Sequence, residues 1–297
     1  MKMQRPLRSA KVIAFTAGKS TIWYALRPFH ADNAWPMKVL GGPAKGAVLL
    51  LDLRINGSYW LGTYDNWILS HIRISEWLPR AGVAGDCGAY TGYYSAIFRR
   101  AVGDEGKVIA FEGSTCNFQR LRQVPGLNQW TNVHVIHSAV GPDHTVIDFA
   151  GDLDGASKPM GGLFKEHGTS IRRERVVCAG VDELCFERHL PAPNFIKFDL
   201  EGAEVFALQN GNRVFSEKRP VILLELHGGK EHPEIITSVG SFLVKHNYLA
   251  WDVRSFDQRE TEPFTDTSSL KEAVADICNT LVCIPYELSG KRDAVLN

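Results

Sequence analysis

Alternation between short apolar runs and helix-forming stretches, from residue 81 onward, constrains the fold more than any other feature of this sequence. Five runs have the length and residue types of strands covered on both faces: Ala81–Asp86, Lys107–Glu112, Val133–Ser138, Asn194–Asp199 and Val221–Leu226. The stretches between them predict helices over Thr91–Ala101, Cys116–Gln123, Val181–His189 and Ala203–Gln209. Strands that alternate with helices form βαβ units, so these strands are expected to run parallel in one sheet.

Two more predicted strands, over 248–255 and 279–288, bring the sheet to seven strands. They could form an antiparallel pair that closes one edge. We therefore predict an α/β fold with a doubly wound, mostly parallel, seven-stranded sheet of the Rossmann-like type.

Residues 1–80 lack the alternation and are predicted to be an N-terminal extension to a domain of residues 81–297. The apolar segments 37–40 and 47–54 flank GGPAKG and predict a hairpin with a Gly/Pro-rich connection. Apolar and aromatic residues recur near helical spacing over 65–78 and predict a helix there. This extension is our candidate for a cap or acceptor-binding region.

Composition and charge argue against several classes of protein. The 297 residues include 33 lysines and arginines and 33 aspartates and glutamates, a balance that disfavours a broad phosphate-binding face and hence a nucleic-acid partner. No run of about 18 apolar residues occurs, so we expect no membrane span. The six cysteines form no C-x-x-C pair, which fits thiols in a reducing cytoplasm better than a zinc or redox site.

A glycine-rich turn follows the first strand of the alternating region. Asp86 ends that predicted strand, and Gly88 and Gly92 bracket the turn into the next helix. Such a turn lies at the carboxyl edge of a parallel sheet, where free N–H groups of the helix can bind an anion. Glu112 ends the next strand, 20 residues beyond Gly92, and a carboxylate there can accept hydrogen bonds from ribose hydroxyls. The turn and the acid together predict a ligand that contains adenosine.

The spacing of the glycines discriminates between such ligands. Tyr90 and Thr91 occupy the positions between them, so the turn is not the G-x-G-x-x-G of dinucleotide-binding proteins. S-adenosylmethionine has no pyrophosphate, so this turn favours it over a dinucleotide. Its carboxylate can bind at the helix N-terminus and its ammonium group can bind Asp86. The structural alternative is a tight connection without a ligand, with Glu112 as a solvated strand end.

Acidic residues and a histidine follow the fourth and fifth predicted strands. Asp199 and Glu201 lie just beyond the fourth, and Glu225 and His227 end the fifth. A carboxylate or histidine there can take a proton from a hydroxyl nucleophile, and we predict Asp199, Glu201 and His227 as catalytic residues. Glu204 is better explained as a charge that stabilises the first turn of a helix. The same side chains could hold a hard divalent cation, but their spacing is not diagnostic and we expect no metal.

Several ordered blocks resemble the FkbM-type methyltransferase family over about residues 58–250. The blocks are Leu61–Asp65, Asp86–Gly92, Gly106–Glu112, Asn132–Gly141, Ile196–Glu204 and Leu223–Glu225. The chain departs from the family at Tyr90, where Asn is usual, and at Gly113, where Pro is usual. The resemblance implies the class I methyltransferase fold, S-adenosylmethionine as cofactor, and methyl transfer that is often directed to hydroxyls of sugars or secondary metabolites.

The resemblance also implies which residues meet the cofactor. They are Tyr64, Asp86, Gly88, Ala89, Tyr90, Gly92, Glu112, Ser138, Ala139 and Asp199. The turn from Asp86 to Gly92 would surround the methionine part, and Glu112 would bind the ribose. The region of Ser138 and Ala139 would lie near adenine, and Asp199 near the reacting methyl group, with Tyr64 closing over the cofactor.

The predicted function is O-methylation of a small hydroxylated acceptor, a sugar or a secondary metabolite. The alternatives are an NAD-dependent oxidoreductase and a non-catalytic protein that keeps the fold. Base methylation in a nucleic acid is disfavoured, because Asp199 is followed by Leu-Glu-Gly and not by Pro-Pro-Tyr. The segment Gly151–Gly168 is predicted to be a solvated loop or a lid, and the sequence leaves a homo-oligomer open.

Overall fold

The computed structural model of the protein describes residues 34–152, 157–159, 171–227, 232–273 and 278–295. The first elements form the predicted hairpin, strands β1 (Trp35–Lys38) and β2 (Val48–Leu51), which pair antiparallel. Three short helices follow: α1 (Gly57–Leu61), α2 (Asn66–His71) and α3 (Ile74–Trp77).

The single helix predicted over 65–78 is wrong, since α2 and α3 are separate. Ile72 ends α2 in an extended conformation, with φ −104° and ψ 107°. Ile72 and Ile74 are both buried. Packing of these β-branched side chains in the core therefore takes precedence over helical periodicity.

The alternating elements come next, close to their predicted positions. They are β3 (Val83–Cys87), α4 (Tyr93–Val102), β4 (Lys107–Glu112), α5 (Thr115–Leu121), α6 (Val124–Leu127), β5 (Val133–His137), β6 (Ala139–Val140), β7 (Thr145–Asp152), β8 (Ser157–Pro159), β9 (Ile171–Ala179), β10 (Phe195–Phe198), α7 (Glu204–Gln209), β11 (Val221–His227), α8 (Pro233–His246), β12 (Tyr248–Asp252), α9 (Thr267–Ala273), β13 (Cys278–Pro285) and α10 (Ser289–Val295). The helix predicted over Val181–His189 is instead a wider π-helical turn at Glu183–Glu187.

The central sheet has seven strands in the order β12-β13-β11-β10-β3-β4-β5. Strands β11, β10, β3, β4 and β5 pair parallel, and β13 pairs antiparallel with both β11 and β12. The predicted doubly wound, mostly parallel sheet with an antiparallel pair at one edge is therefore confirmed. Because the chain runs from β3 to β5 on one side and places β10 on the other, a ligand crevice is expected between β3 and β10.

A second sheet, in the order β6-β9-β7-β8, is formed by the segment between β5 and β10. It includes part of the segment predicted to be an irregular loop or lid: Gly151 pairs with Ser157 and Ala150 pairs with Lys158. The rest of that segment, residues 153–156 and 160–168, lies outside the described residues.

Apolar residues cover both faces of the central sheet. On one face the hairpin residues Leu49 and Leu51 share a core with Phe98, Val108 and Phe195. On the other, Ile109, Phe198 and Leu224 pack with residues of α8. Strand alternation assigns Val108 and Ile109 to opposite faces. Within the described ranges, no helix combines the length and apolar character that a membrane crossing requires.

Candidate functional site

The predicted site residues meet at the carboxyl edge of the sheet, beside the crossover between β3 and β10. On the core face that contains Ala84, Ala110 and Leu223, strand alternation also places five polar side chains. They are Asp86, Glu112, Lys197, Glu225 and His227. This is the face on which the N-terminal hairpin packs, so residues before 81 come close to the site.

The turn after β3 is packed tightly against the end of β10. Gly88 has φ +82°, and a Cβ atom added there would lie 1.9 Å from the carbonyl oxygen of Asp199. The N–H groups of Gly88 and Ala89 both donate to the Phe111 carbonyl, at 3.1 and 3.0 Å. Only glycine fits this close approach, which brings the turn, β4 and β10 together.

Asp86 is a fully buried carboxylate with one oxygen in use. Its Oδ2 accepts a hydrogen bond of 2.5 Å from Ser95, whereas Oδ1 has no hydrogen-bond partner among the described residues. Burial raises the pKa of Asp86, although the nearby Lys197 opposes this shift. The Thr91 hydroxyl is also buried and without a partner in the described part of the chain. Unpaired buried polar atoms are costly, so this turn fits a polar ligand such as the amino-acid part of S-adenosylmethionine.

Glu112 lies at the end of β4 and is 5% exposed. Its Oε2 accepts from the Tyr90 N–H at 2.9 Å and its Oε1 from the Ser114 N–H at 2.8 Å. Burial raises the pKa of Glu112 to about 7, despite these hydrogen bonds. The Asn117 side chain is a further hydrogen-bond partner of this carboxylate. The binding of ribose hydroxyls by Glu112 stays a prediction.

Ser138 and Ala139 are set apart from these residues. Ala139 pairs with Cys178 of β9, and the Ser138 hydroxyl lies 2.8 Å from the Ala139 carbonyl and 3.2 Å from that of Val177. The Ser138 side chain therefore secures the junction between the two sheets. Its predicted place near adenine stays a prediction.

Lys197 was missed by our sequence interpretation. It is buried in β10, and its Nζ donates to Asp199 Oδ2 at 2.8 Å and lies 4.8 Å from the centre of the Tyr94 ring. Burial alone would lower the pKa of Lys197, but the carboxylates of Asp199, Glu225 and Asp86 raise it. The available signal was a lysine inside the otherwise apolar strand FIKF.

His227 is held from one side by Glu204. Its Nδ1 lies 2.8 Å from Glu204 Oε1, and Glu204 is 1% exposed. Glu204 also accepts hydrogen bonds from the Leu200 and Gly202 N–H groups, at 3.0 and 3.1 Å. Glu204 is the first residue of α7, and its predicted stabilisation of that helix stays a prediction; the same carboxylate also holds the histidine ring.

Two more carboxylates face the other ring nitrogen of His227. Its Nε2 lies 3.9 Å from Glu201 Oε2 and 3.8 Å from Glu225 Oε1. Burial, followed by the negative charge of Asp199, raises the pKa of Glu225 to about 7. Glu201 has φ +52°, an uncommon backbone conformation for a residue other than glycine that often marks a functional site. The three predicted catalytic residues are thus neighbours in space.

An aromatic wall, Tyr59, Tyr64 and Tyr90, covers the site from the N-terminal side. The Tyr59 and Tyr64 rings stack with centres 4.0 Å apart, and Tyr90 meets Tyr59 edge-on at 5.9 Å. The Tyr90 hydroxyl accepts a hydrogen bond from Asn56 at 3.0 Å. Tyr64 was predicted to close over the cofactor; Asn56 and Tyr59 were missed, because nothing in their local sequence links them to the turn after β3.

Comparison with known proteins gives a family match and several similar structures. A model of the methyltransferase FkbM domain family matches residues 86–249. No curated protein matches the sequence. The structure of methyltransferase FkbM from Methylobacillus flagellatus KT is 16% identical over 78% of this chain and 51% of that chain, with a TM-score of 0.46. This chain thus spans about half the length of that protein.

A second similar structure is that of a SAM-dependent methyltransferase from Aquifex aeolicus. It is 14% identical over 74% of this chain and 94% of that chain, with a TM-score of 0.39.

Proposed function

This chain belongs to the FkbM family of S-adenosylmethionine-dependent methyltransferases, and from that premise we propose that it methylates a hydroxyl group of a small molecule. The observation that supports this most directly is the turn after β3. There, the buried Asp86 has one oxygen without a partner in the described residues, and Gly88 leaves no space for a side chain. A charged amino-acid group would satisfy that oxygen.

The cofactor-binding roles follow from the positions of the polar groups. Asp86 would accept from the ammonium group, while the turn from Gly88 to Gly92 would surround the methionine part. Glu112 would accept from the ribose hydroxyls. When bound, S-adenosylmethionine supplies an electrophilic methyl group, which leaves sulfur as the acceptor oxygen attacks.

We propose that Asp199, Glu201 and His227 bind the acceptor hydroxyl and promote loss of its proton. Their side chains are 21%, 35% and 15% exposed, so an acceptor can reach them from solvent. Lys197 is buried beneath Asp199 and would hold that carboxylate in place through their hydrogen bond. Positioning of the hydroxyl behind the methyl group supplies much of the rate.

The acceptor in this proposal is a sugar or a secondary metabolite that enters beside the aromatic wall. Residues 1–80 would provide the acceptor-facing cap, since Tyr59 and Tyr64 already stand next to the carboxylate cluster. We also propose a cytoplasmic location, on the ground that Cys87, Cys116, Cys178, Cys185 and Cys283 are free thiols.

Calorimetric titration with S-adenosylmethionine and with its demethylated product tests the proposal. We expect both to bind the wild-type protein, and Asp86→Asn to weaken binding at least about tenfold. Asp104→Asn is the matched control, because that carboxylate is 92% exposed. Tritium from methyl-labelled cofactor should then appear in one of a panel of hydroxylated acceptors. A folded wild-type protein that binds neither compound contradicts the proposal.

A further inference from the structure

We propose that Asp199, Glu201 and His227 form a site for a divalent cation of the Mg²⁺ or Mn²⁺ class, which holds the acceptor hydroxyl. This deepens the proposed function and rests on it for the role of the ion, though not for its binding. One ligand atom from each of the three residues lies within 4.8 Å of the other two. Two carboxylates and one imidazole give an oxygen-rich ligand set, which suits these ions better than softer metals.

The three ligands are supplied by rigid elements. Asp199 directly follows β10 and His227 ends β11, and these strands pair parallel with Phe198 opposite Leu224. Glu201 follows Asp199 by two residues, and its uncommon positive φ accompanies its approach to His227. Neighbouring strands that end at the same edge therefore fix the relative positions of the ligands.

The orientation of His227 is an observation separate from the proximity of the three ligands. Glu204 belongs to α7, is almost completely buried, and is already held by two backbone N–H groups. It engages Nδ1 of His227, so that Nε2 faces Glu201 and Glu225. In metal-ligating histidines the ring nitrogen that does not bind the ion almost always donates to a carboxylate, a backbone carbonyl or water, and Glu204 is such a carboxylate.

The local charge favours a cation. Asp199, Glu201 and Glu225 contribute carboxylates around the position that Nε2 faces, and Lys197 is the amine that pairs with one of them. Asp199 accepts from Lys197 through Oδ2 and, as a carboxylate, can still offer its second oxygen. The partial exposure of Asp199 and Glu201 gives a hydrated ion access to the site.

Binding requires a contraction of the cluster. Octahedral ligands at about 2.1 Å from a cation lie roughly 3 Å apart when adjacent, whereas the three ligand atoms here lie within 4.8 Å of one another and His227 Nε2 and Glu201 Oε2 are 3.9 Å apart. Glu201 is the most exposed of the three, so its side chain can rotate towards the ion.

The proposed ion has a defined chemical role. The acceptor oxygen becomes one of its ligands, which lowers the pKa of the hydroxyl so that the proton leaves to water. The oxygen then forms the new bond to the methyl carbon as the carbon–sulfur bond breaks, and that electron pair stays on sulfur. No oxidant or reductant takes part.

Electron paramagnetic resonance of Mn²⁺ tests the site on the full chain without cofactor or acceptor. We expect the signal of free Mn²⁺ to fall as protein is added, and Mg²⁺ to compete. Glu201→Gln and His227→Asn should each weaken binding at least about tenfold, and Glu204→Gln about 10- to 100-fold. Glu217→Gln is the matched control, since Glu217 is 48% exposed and pairs with Arg213; it should leave binding unchanged.

Thermal unfolding and calorimetry with S-adenosylmethionine show whether each variant is folded. Wild-type protein that binds no Mn²⁺, or folded ligand variants that bind it like wild type, would overturn the metal site. Methyl transfer that is undiminished in excess EDTA would also overturn it and would leave the proposed function standing. Conversely, Mn²⁺ binding without cofactor binding would refute the proposed function and retain the metal site.

Discussion

At the scale of single residues, the site contains several ionisable groups that are almost completely buried. Asp86, Glu112, Lys197 and Glu204 are each at most 5% exposed. Burying an ionisable group costs stability unless it is paired. Buried ionisable groups of this kind are therefore expected at ligand-binding sites, where they serve binding and not the stability of the fold.

Glu112 should make stability depend on pH in a specific direction. Its pKa is raised from 4.5 to about 7 by burial, so the unfolded chain ionises first as the pH rises. The stability that neutral Glu112 contributes is fully present below pH 4.5 and is lost as the pH rises through 7, by roughly 3 kcal/mol. In urea unfolding from pH 4.5 to 8, the free energy of unfolding of Glu112→Gln should therefore increase relative to that of the wild type as the pH rises. Parallel curves for the two proteins would contradict this assignment.

Gly88 should tolerate no side chain. Gly88→Ala should destabilise the fold in two ways. The positive φ costs about 1–2 kcal/mol for a residue with a Cβ atom, and that atom would lie only 1.9 Å from the Asp199 carbonyl oxygen. Gly46→Ala separates these effects, because Gly46 has φ +93° with nothing within 4 Å. In chemical denaturation we expect the free energy of unfolding to fall in Gly46→Ala only by the cost of the positive φ. In Gly88→Ala it should fall clearly more, and cofactor binding should be lost as well. Equal losses would show that the turn can move away from β10.

At the scale of elements, the connections bring the functional groups together while the strands provide a frame. The turn after β3, the turn after β10 and the segment around α1 each contain a non-glycine residue with positive φ near the site. These residues are Tyr90 at 48°, Glu201 at 52° and Asp65 at 49°. Backbone strain of this kind persists only where surrounding contacts hold it, here the contacts between separate elements.

The hydrogen bond between Asn56 and Tyr90 is one contact that joins the α1 segment to the turn after β3. Tyr90→Phe removes the acceptor, and we expect a loss of about 1 kcal/mol in the free energy of unfolding. Tyr286→Phe should change it by less than about 0.5 kcal/mol, because Tyr286 is 56% exposed. If urea titrations give equal values for the two variants, the two elements are not coupled through this bond.

At the scale of the whole molecule, the N-terminal segment and the central sheet share one core. Leu49, Leu51 and Ile68 are packed in the same cluster as Phe98 and Phe195. The face of the sheet that contains the proposed site is thus covered by residues that lie outside the family match at 86–249. The domain boundary at residue 80 stays a prediction. The shared core implies that separating the chain at this boundary would destabilise the part that follows it.

A fragment of residues 81–297 should not fold as the intact protein does. Removing β1, β2 and α1–α3 exposes the core side chains that they cover, and each buried leucine or isoleucine contributes about 1.5–3 kcal/mol, which together exceeds the usual stability of a domain. Calorimetry and near-ultraviolet circular dichroism should show no cooperative unfolding transition for the fragment. A transition at the midpoint of the full chain would mean that the N-terminal segment contributes little.

The sequence by itself determined the fold class and the approximate positions of the strands. The apolar runs and their spacing predicted seven strands, and Lys107–Glu112 matches the observed β4 at both ends. The same pattern placed Asp86, Glu112 and Asp199 at one edge, because parallel strands connected by helices end on the same side. These features depend on periodicity along the chain, which is local information.

Only the tertiary structure decided which side chains meet. Glu204 against His227 and Tyr59 beside Tyr90 are contacts between distinct elements. No local pattern encodes them, since they depend on how the elements pack against one another. The break between α2 and α3 has the same origin, because burying Ile72 and Ile74 outweighs the weak preference of a short segment for one continuous helix.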